Sequence, residues 1–191
     1  MKKIIIIFVL FLGILSNTKA DTQRIIYGNI KAKISIIVYE SLTCSHCASF
    51  HKNVYPELKK NYLDTGLARI EFRHYPLDLA AFNASKISQC HQNKGLEILE
   101  SLYLNQQNWV KGETIDEVNK NLKKFIEKSG FNLDFEKCIN DKEIEDFVLN
   151  DRIEGTKKFK INATPTIIIN NEKFEKSLNF KNLKKSLEKL I

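Results

Sequence analysis

The sequence is poor in residues that break regular structure: of its 191 residues, seven are Gly and three are Pro. That scarcity excludes collagen-like and Pro/Gly-rich low-complexity architectures. Four Cys are too few for a disulfide-dense miniprotein. Disorder is excluded by the balance of 43% hydrophobic against 28% charged residues, which is enough apolar material for a core. The chain also lacks an apolar run of the roughly 20 residues that a comfortable transmembrane helix needs. No internal repeat and no Ser/Gly-rich linker divides it, so one domain with a large insertion is expected.

The longest apolar stretch, Ile4 to Leu15, is interrupted only by Gly13. Met1-Lys2-Lys3 precedes it, and Ser16-Asn17-Thr18-Lys19-Ala20 follows, turning polar and ending in a small residue. This order reads as a secretory signal peptide, residues 1–20, cleaved after Ala20; an uncleaved anchor is the alternative. No Cys stands near the cleavage point, which argues against a lipoprotein. Cleavage removes three Lys and no acid, so 30 basic residues become 27 against 23 acids and the formal charge drops from +7 to +4. The remaining basic residues are mixed with acids, as in Lys184-Lys185-Ser186-Leu187-Glu188-Lys189, and no nucleic-acid partner is expected. Export places the protein in the periplasm, where thiols are commonly oxidised, so all four cysteines become disulfide candidates.

Along the remaining chain, Ile25-Ile26-Tyr27 is a short strand, and Ile34 to Glu40 is a β-branched and aromatic run suited to a central strand. After Ser41-Leu42-Thr43 the period becomes helical through Cys47, Phe50, Val54 and Leu58, with a break expected at Pro56. Ala68 to His74 is the next strand, completing a βαβ unit with a parallel pair. Residues 79–160 read as almost wholly helical, with a capping box at Thr114 to Glu117. Thr166 to Ile169, Asn170-Asn171 and Lys173-Phe174-Glu175 form a hairpin, and a helix beginning at Asn179 or Phe180 closes the chain. The α/β parts are therefore residues 21–78 and 161–191, with the helical block of 79–160 inserted between them.

Cys44-Ser45-His46-Cys47 stands at a helix start. Unpaired backbone N–H groups and the helix dipole favour an anion there, and Cys44 lies nearest that end. His46, between the two thiols, can add positive charge or a hydrogen bond. Cys-x-x-Cys thiols so placed have pKa values of about 3.5 to 7.5, and a thiolate that leaves readily makes the disulfide an oxidant of other thiols. Cys47, one turn further in, should be more buried and less acidic. The alternatives are a zinc site drawing on Cys90, Cys138 and His91, or an inert structural disulfide.

Ala163-Thr164-Pro165-Thr166 opens the β-branched run. A Pro there, facing a redox loop, can be cis and present Thr164 to an extended substrate, or it can simply be trans at an edge strand. If Cys44 pairs with Cys47, parity leaves Cys90 for Cys138. Such a bridge would contribute up to about 4 kcal/mol by chain entropy; two buried free thiols are the other reading.

These anchors resemble the DsbA family of thiol–disulfide oxidoreductases, particularly the exported DsbA-like proteins of alphaproteobacteria. The resemblance rests on Ser41-Leu42-Thr43-Cys44-Ser45-His46-Cys47, Phe72-Arg73-His74-Tyr75-Pro76-Leu77-Asp78 and Ala163-Thr164-Pro165-Thr166, and covers nearly all of residues 21–191. It implies a thioredoxin fold with an inserted all-helical domain, Cys44 as nucleophile, Cys47 as its partner, Pro165 cis and a Cys90–Cys138 bridge. It also implies no cofactor, thiol-bearing exported proteins as substrates and a membrane DsbB-type reoxidant; a monomer is expected. Three positions depart from the family pattern. Ser45 replaces the common Pro, Val38 stands where a buried acid is frequent with Glu40 two residues on, and Thr164 is closer to the isomerase branch. Glu40 is either a proton-transfer group or a solvated strand end. His51, His74 and His91 read as surface or packing residues, and Trp109 as packing within a loop-like stretch. Besides the disulfide-forming oxidase, an isomerase or reductase of the same fold and an exported metal carrier remain open.

Overall fold

The structure, a computed structural model, describes residues 22–91 and 93–191; the expected signal peptide lies outside them. Strands β1 (Ile25–Gly28), β2 (Ile34–Glu40), β3 (Ala68–His74), β4 (Thr166–Ile169) and β5 (Glu172–Lys173) form one sheet in the order β1-β3-β2-β4-β5. β2 and β3 run parallel, from Ile34 opposite Ala68 to Glu40 opposite His74, and the other pairings are antiparallel. The parallel pair follows from its connection: α1 (Ser45–Asn53), α2 (Tyr55–Leu58) and a π-helical turn (Lys59–Leu63) make the crossover. Pro56 lies at the start of α2, where its missing N–H costs no helical bond, and the chain breaks between α1 and α2 as expected. Asn170 and Asn171 both have positive φ (47° and 70°), the conformation a tight hairpin demands and Asn tolerates.

Among the described residues, six helices fill the stretch between β3 and β4: α3 (Leu79–Cys90), α4 (Gly95–Leu104), α5 (Gln106–Trp109), α6 (Ile115–Lys128), α7 (Phe135–Asn140) and α8 (Lys142–Phe159). The Thr114–Glu117 capping box is formed at the start of α6. The stretch around Trp109 is a short helix, not a loop. Its fully buried indole anchors the insertion, donating from Nε1 to the Leu102 carbonyl at 2.9 Å. A last helix, α9 (Phe180–Leu187), packs back on the sheet through Leu183 and Leu187.

Period-2 alternation gives the sheet two dressed faces. Ile34, Ile36, Val38, Ala68, Ile70 and Phe72 lie on one, in the main core with Cys47 and Phe50 of α1. Tyr39 and Ile168 lie on the other, in a smaller cluster with Tyr75, Ile161 and Phe159. Here α8 comes very close to β2: a Cβ on Gly155 would stand 2.7 Å from the Tyr39 ring, so only Gly fits.

A charged cluster ties the insertion to the sheet. Asp151 of α8 has no exposed surface, yet it accepts from the His74 backbone N–H at 3.1 Å and from Arg73 Nη1 at 3.2 Å, and pairs with Arg24. Arg73 also reaches Glu154 at 2.8 Å and pairs with Glu71. A buried carboxylate persists only with such compensation.

Candidate active site

β2 delivers the chain to the C-terminal edge of the sheet, and the loop Ser41–Thr43 is then held on three sides. Ser41 Oγ accepts from the Leu77 N–H at 3.2 Å, and Thr43 Oγ1 donates to Asp78 at 2.7 Å. The same Asp78 caps α3 by accepting from the Ala81 N–H at 2.7 Å. From the insertion, Gln106 Nε2 donates to the Leu42 carbonyl at 2.8 Å and to the Cys44 carbonyl at 3.1 Å. A helix start so fixed keeps its unpaired N–H groups aimed at one point.

Cys44 occupies that point as the N-cap of α1, with extended φ and ψ of −76° and 119°, and the first turn of α1 holds no acid. Its thiol is half-buried, and its acidity is drawn down to about 5. The Cys47 thiol, donating to it, contributes most. Burial opposes the shift; Thr164 and the backbone N–H groups of Cys47 and His46 reinforce it. Thr164 acts from across the fold. Its carbonyl oxygen lies 3.4 Å from Cys44 Sγ, and its hydroxyl, buried and otherwise unpartnered, can donate once the thiol proton has left. The Thr164–Pro165 peptide bond is cis.

Cys47 has no exposed surface. Burial pushes its thiol well up, and the hydrogen bond to Cys44 and the Glu40 carboxylate push it the same way. The pair is thus polarised: an exposed-side sulfur held as an anion and an inner one held protonated. Ser45 and His46 are exposed between them. Thus Cys44, Ser45, His46, Cys47, Thr164 and Pro165 share one region, whereas Cys90 and Cys138 are bonded to each other between α3 and α7, with Cα atoms 5.6 Å apart. Among the described residues no group of three or more His, Cys, Asp or Glu is arranged to hold a metal.

Three residues near the site have two readings in the sequence, and the structure selects the buried one for each. Glu40 is not a solvated strand end: it is 1% exposed, and its Oε2 lies 2.9 Å from His51 Nε2. His51 and His74 are fully enclosed rather than on the surface, at 3% and 2% exposure. The signal for His51 was present in its spacing, since Cys47 and His51 stand four apart on α1 and so share a face. Gln106 carried no local signal.

A sequence profile described as Thioredoxin matches residues 19–189. The crystal structure of Wolbachia pipientis alpha-DsbA1 superposes with a TM-score of 0.80 at 31% identity, covering 88% of this chain and 90% of that one. Disulfide bond formation protein D of Bacillus subtilis is 24% identical over 174 residues, 86% of this chain and 75% of that protein. A protein of Rickettsia bellii, named as a candidate protein-disulfide oxidoreductase, is 27% identical over 154 residues. That alignment covers 80% of this chain and 59% of the relative, so the chain spans about three fifths of that protein's length. The architecture is that of a thioredoxin fold carrying a helical insertion between β3 and β4. The chain belongs to the thioredoxin family and, within it, to the DsbA group of thiol–disulfide oxidoreductases.

Proposed function

We propose that the protein is a thiol–disulfide oxidoreductase that introduces disulfides into exported proteins through the Cys44–Cys47 pair. The observation that carries this reading is the polarisation of the pair, with Cys44 drawn down to about 5 and Cys47 pushed up. A substrate thiolate attacks Cys44 Sγ of the Cys44–Cys47 disulfide. The sulfur–sulfur bond breaks, and Cys47 leaves with the electron pair and takes a proton. A second substrate thiolate then attacks the substrate sulfur of the mixed disulfide, and Cys44 leaves as a stabilised thiolate. The substrate departs with a disulfide, and the protein is left as a dithiol. Thr164 beside Pro165, and Ser45, line the approach to Cys44 and contact the substrate chain; His46 supports the thiolate through its backbone N–H.

No helix of the described residues is long and apolar enough to cross a membrane. The basic, apolar and small-residue order of residues 1–20 supports export to the periplasm, as does the Cys90–Cys138 bridge, since structural disulfides persist in oxidising compartments. A DsbB-type membrane protein would restore the disulfide.

Equilibration with glutathione buffers, following Cys44 and Cys47 by mass, tests the assignment. An oxidase gives a strongly oxidising pair. A thioredoxin-like potential with rapid insulin reduction selects the reductase, and efficient refolding of a scrambled substrate selects the isomerase that Thr164 allows. Stoichiometric zinc or copper in the reduced protein, with no oxidation of a dithiol peptide, selects the metal carrier.

A further inference from the structure

Basic and acidic residues are mixed along the chain, but not evenly. Residues 21–175 carry 22 basic and 22 acidic residues, so their formal charge is zero. Residues 176–191 carry five Lys and one Glu, and the whole surplus of +4 beyond the expected signal peptide resides in these sixteen positions. The fold turns that surplus outward. α9 is capped by Asn179, whose side chain accepts from the Asn182 N–H at 2.9 Å. It lies on the domain through Leu183 and Leu187, four residues apart and both without exposed surface. Lys181 and Lys185, also four apart, therefore occupy the opposite side of the helix, and Lys189 follows at the next such step. All three are exposed, as are Lys176 and Lys184. The acid of the segment, Glu188, lies 3.7 Å from Lys184.

Helix stability does not account for this arrangement. Lys184 and Lys185 sit in the last turn of α9, where the dipole favours cations, but Lys181 sits in the first, where it disfavours them. Nor has the segment the composition of a protein-binding surface. It contains no Arg, Tyr or Trp, which protein interfaces favour, and is built on Lys, in which they are poor. A Lys ammonium is a compact charge on a flexible stem, suited to a field of phosphates. Leu190 and Ile191, 40% and 68% exposed, add apolar surface beside Lys189.

We propose that this face docks on an anionic phospholipid surface, with Lys181, Lys185 and Lys189 against headgroup phosphates and Leu190 and Ile191 at the boundary with the acyl chains. α9 lies along the membrane and does not cross it. The face takes in none of the residues placed around Cys44. α9 meets the crossover at its last turn, Phe180 against Tyr62 with ring centres 6.5 Å apart, whereas Cys44 stands at the crossover's start. The redox pair is left open to substrate. For an exported oxidant, such docking confines disulfide formation to the membrane surface, where newly exported chains arrive.

Vesicle flotation of the exported, processed protein tests this, with vesicles of phosphatidylcholine alone or mixed with phosphatidylglycerol. Binding is expected to the mixed vesicles at low ionic strength, with release in about 0.5 M salt, where screening cuts off charges beyond about 5 Å. Lys181→Gln with Lys185→Gln should weaken binding about 30-fold, the contribution of two lysines near a charged surface. Lys120→Gln with Lys124→Gln removes the same charge at the same spacing from the exposed side of α6, and should change binding by no more than about twofold. Both double variants should keep the wild-type stability and the wild-type rate with a dithiol peptide. Cys44→Ser should bind the vesicles fully, so the outcome is independent of the cysteine roles. Equal flotation with the two kinds of vesicle, or equal weakening by the two double variants, overturns the proposal. So does a wild type that ignores the vesicles but binds soluble polyglutamate, which would assign the face to an acidic protein. The lipid and salt dependence of wild type decides on its own if a variant does not fold.

Discussion

Cys44 Sγ lies 3.4 Å from the carbonyl oxygen of Thr164, a residue 120 positions further along the chain. The contact exists because β2 and β4 are antiparallel neighbours, Tyr39 opposite Thr166, so their loops open at the same edge of the sheet. The first residue of the redox motif and the residue before Pro165 thus become one surface, and any thiol that reaches the sulfur must pass beside Thr164.

The two cysteines should separate cleanly by mutation. Cys44→Ser is expected to abolish oxidation of a dithiol peptide. Cys47→Ser should leave a reactive Cys44 that accumulates as a mixed disulfide with a glutathione or peptide probe. Intact mass after non-reducing quench distinguishes them. Equal trapping by both variants would show that the buried position of Cys47 does not set its role.

Gln106 joins the insertion to the redox loop through two carbonyls. Gln106→Ala should cost about 1 kcal/mol of stability and, by loosening the start of α1, make Cys44 less acidic. Urea denaturation and thiolate absorbance read the two effects. A stability loss with an unchanged thiol would reduce Gln106 to a strut.

Gly155→Ala is expected to destabilise the protein by about 1–3 kcal/mol, the usual cost of overpacking. The added methyl would meet the Tyr39 ring at 2.7 Å, and that ring is fully buried and cannot swing aside. Thermal or urea unfolding checks it; a neutral effect would mean that α8 shifts freely on the sheet.

The depressed acidity of Cys44 makes the stability of the reduced protein depend on pH. An unfolded Cys titrates near 8.5, whereas the folded Cys44 titrates at about 5. The contribution is therefore full above the unfolded value, declines as pH falls through that window and is gone below about 5. The oxidised protein has no such thiol. After allowance for the solvent exposure of Cys44, the reduced form should gain about 1–2 kcal/mol on the oxidised form between pH 5 and 8. Paired urea titrations measure the difference, and a gap that is flat or narrows as pH rises would contradict the assignment.

Much of this was readable from local pattern, because local pattern is what sets helices and strands. The β-branched run at Ile34–Glu40 is the central strand, and the helix breaks at Val54, just before Pro56 in the first turn of α2. Cys44 caps its helix because the motif follows a loop and precedes a helical period. Contacts between distant segments were less legible. Nothing near Gln106 says that it will meet Cys44, and Glu40 looks like the polar end of a strand until α1 and α4 close over it. Asp151 likewise reads as one more surface acid on an amphipathic helix, and only the packing of α8 on β3 makes it a buried anchor.

The whole reading depends on the state of one sulfur, and the ultraviolet absorbance of the Cys44 thiolate in the reduced protein, titrated from pH 3 to 9 against Cys44→Ser, reports it directly. A midpoint near 5 is the expected result. A midpoint near 8.5, the value of an ordinary cysteine, would contradict it.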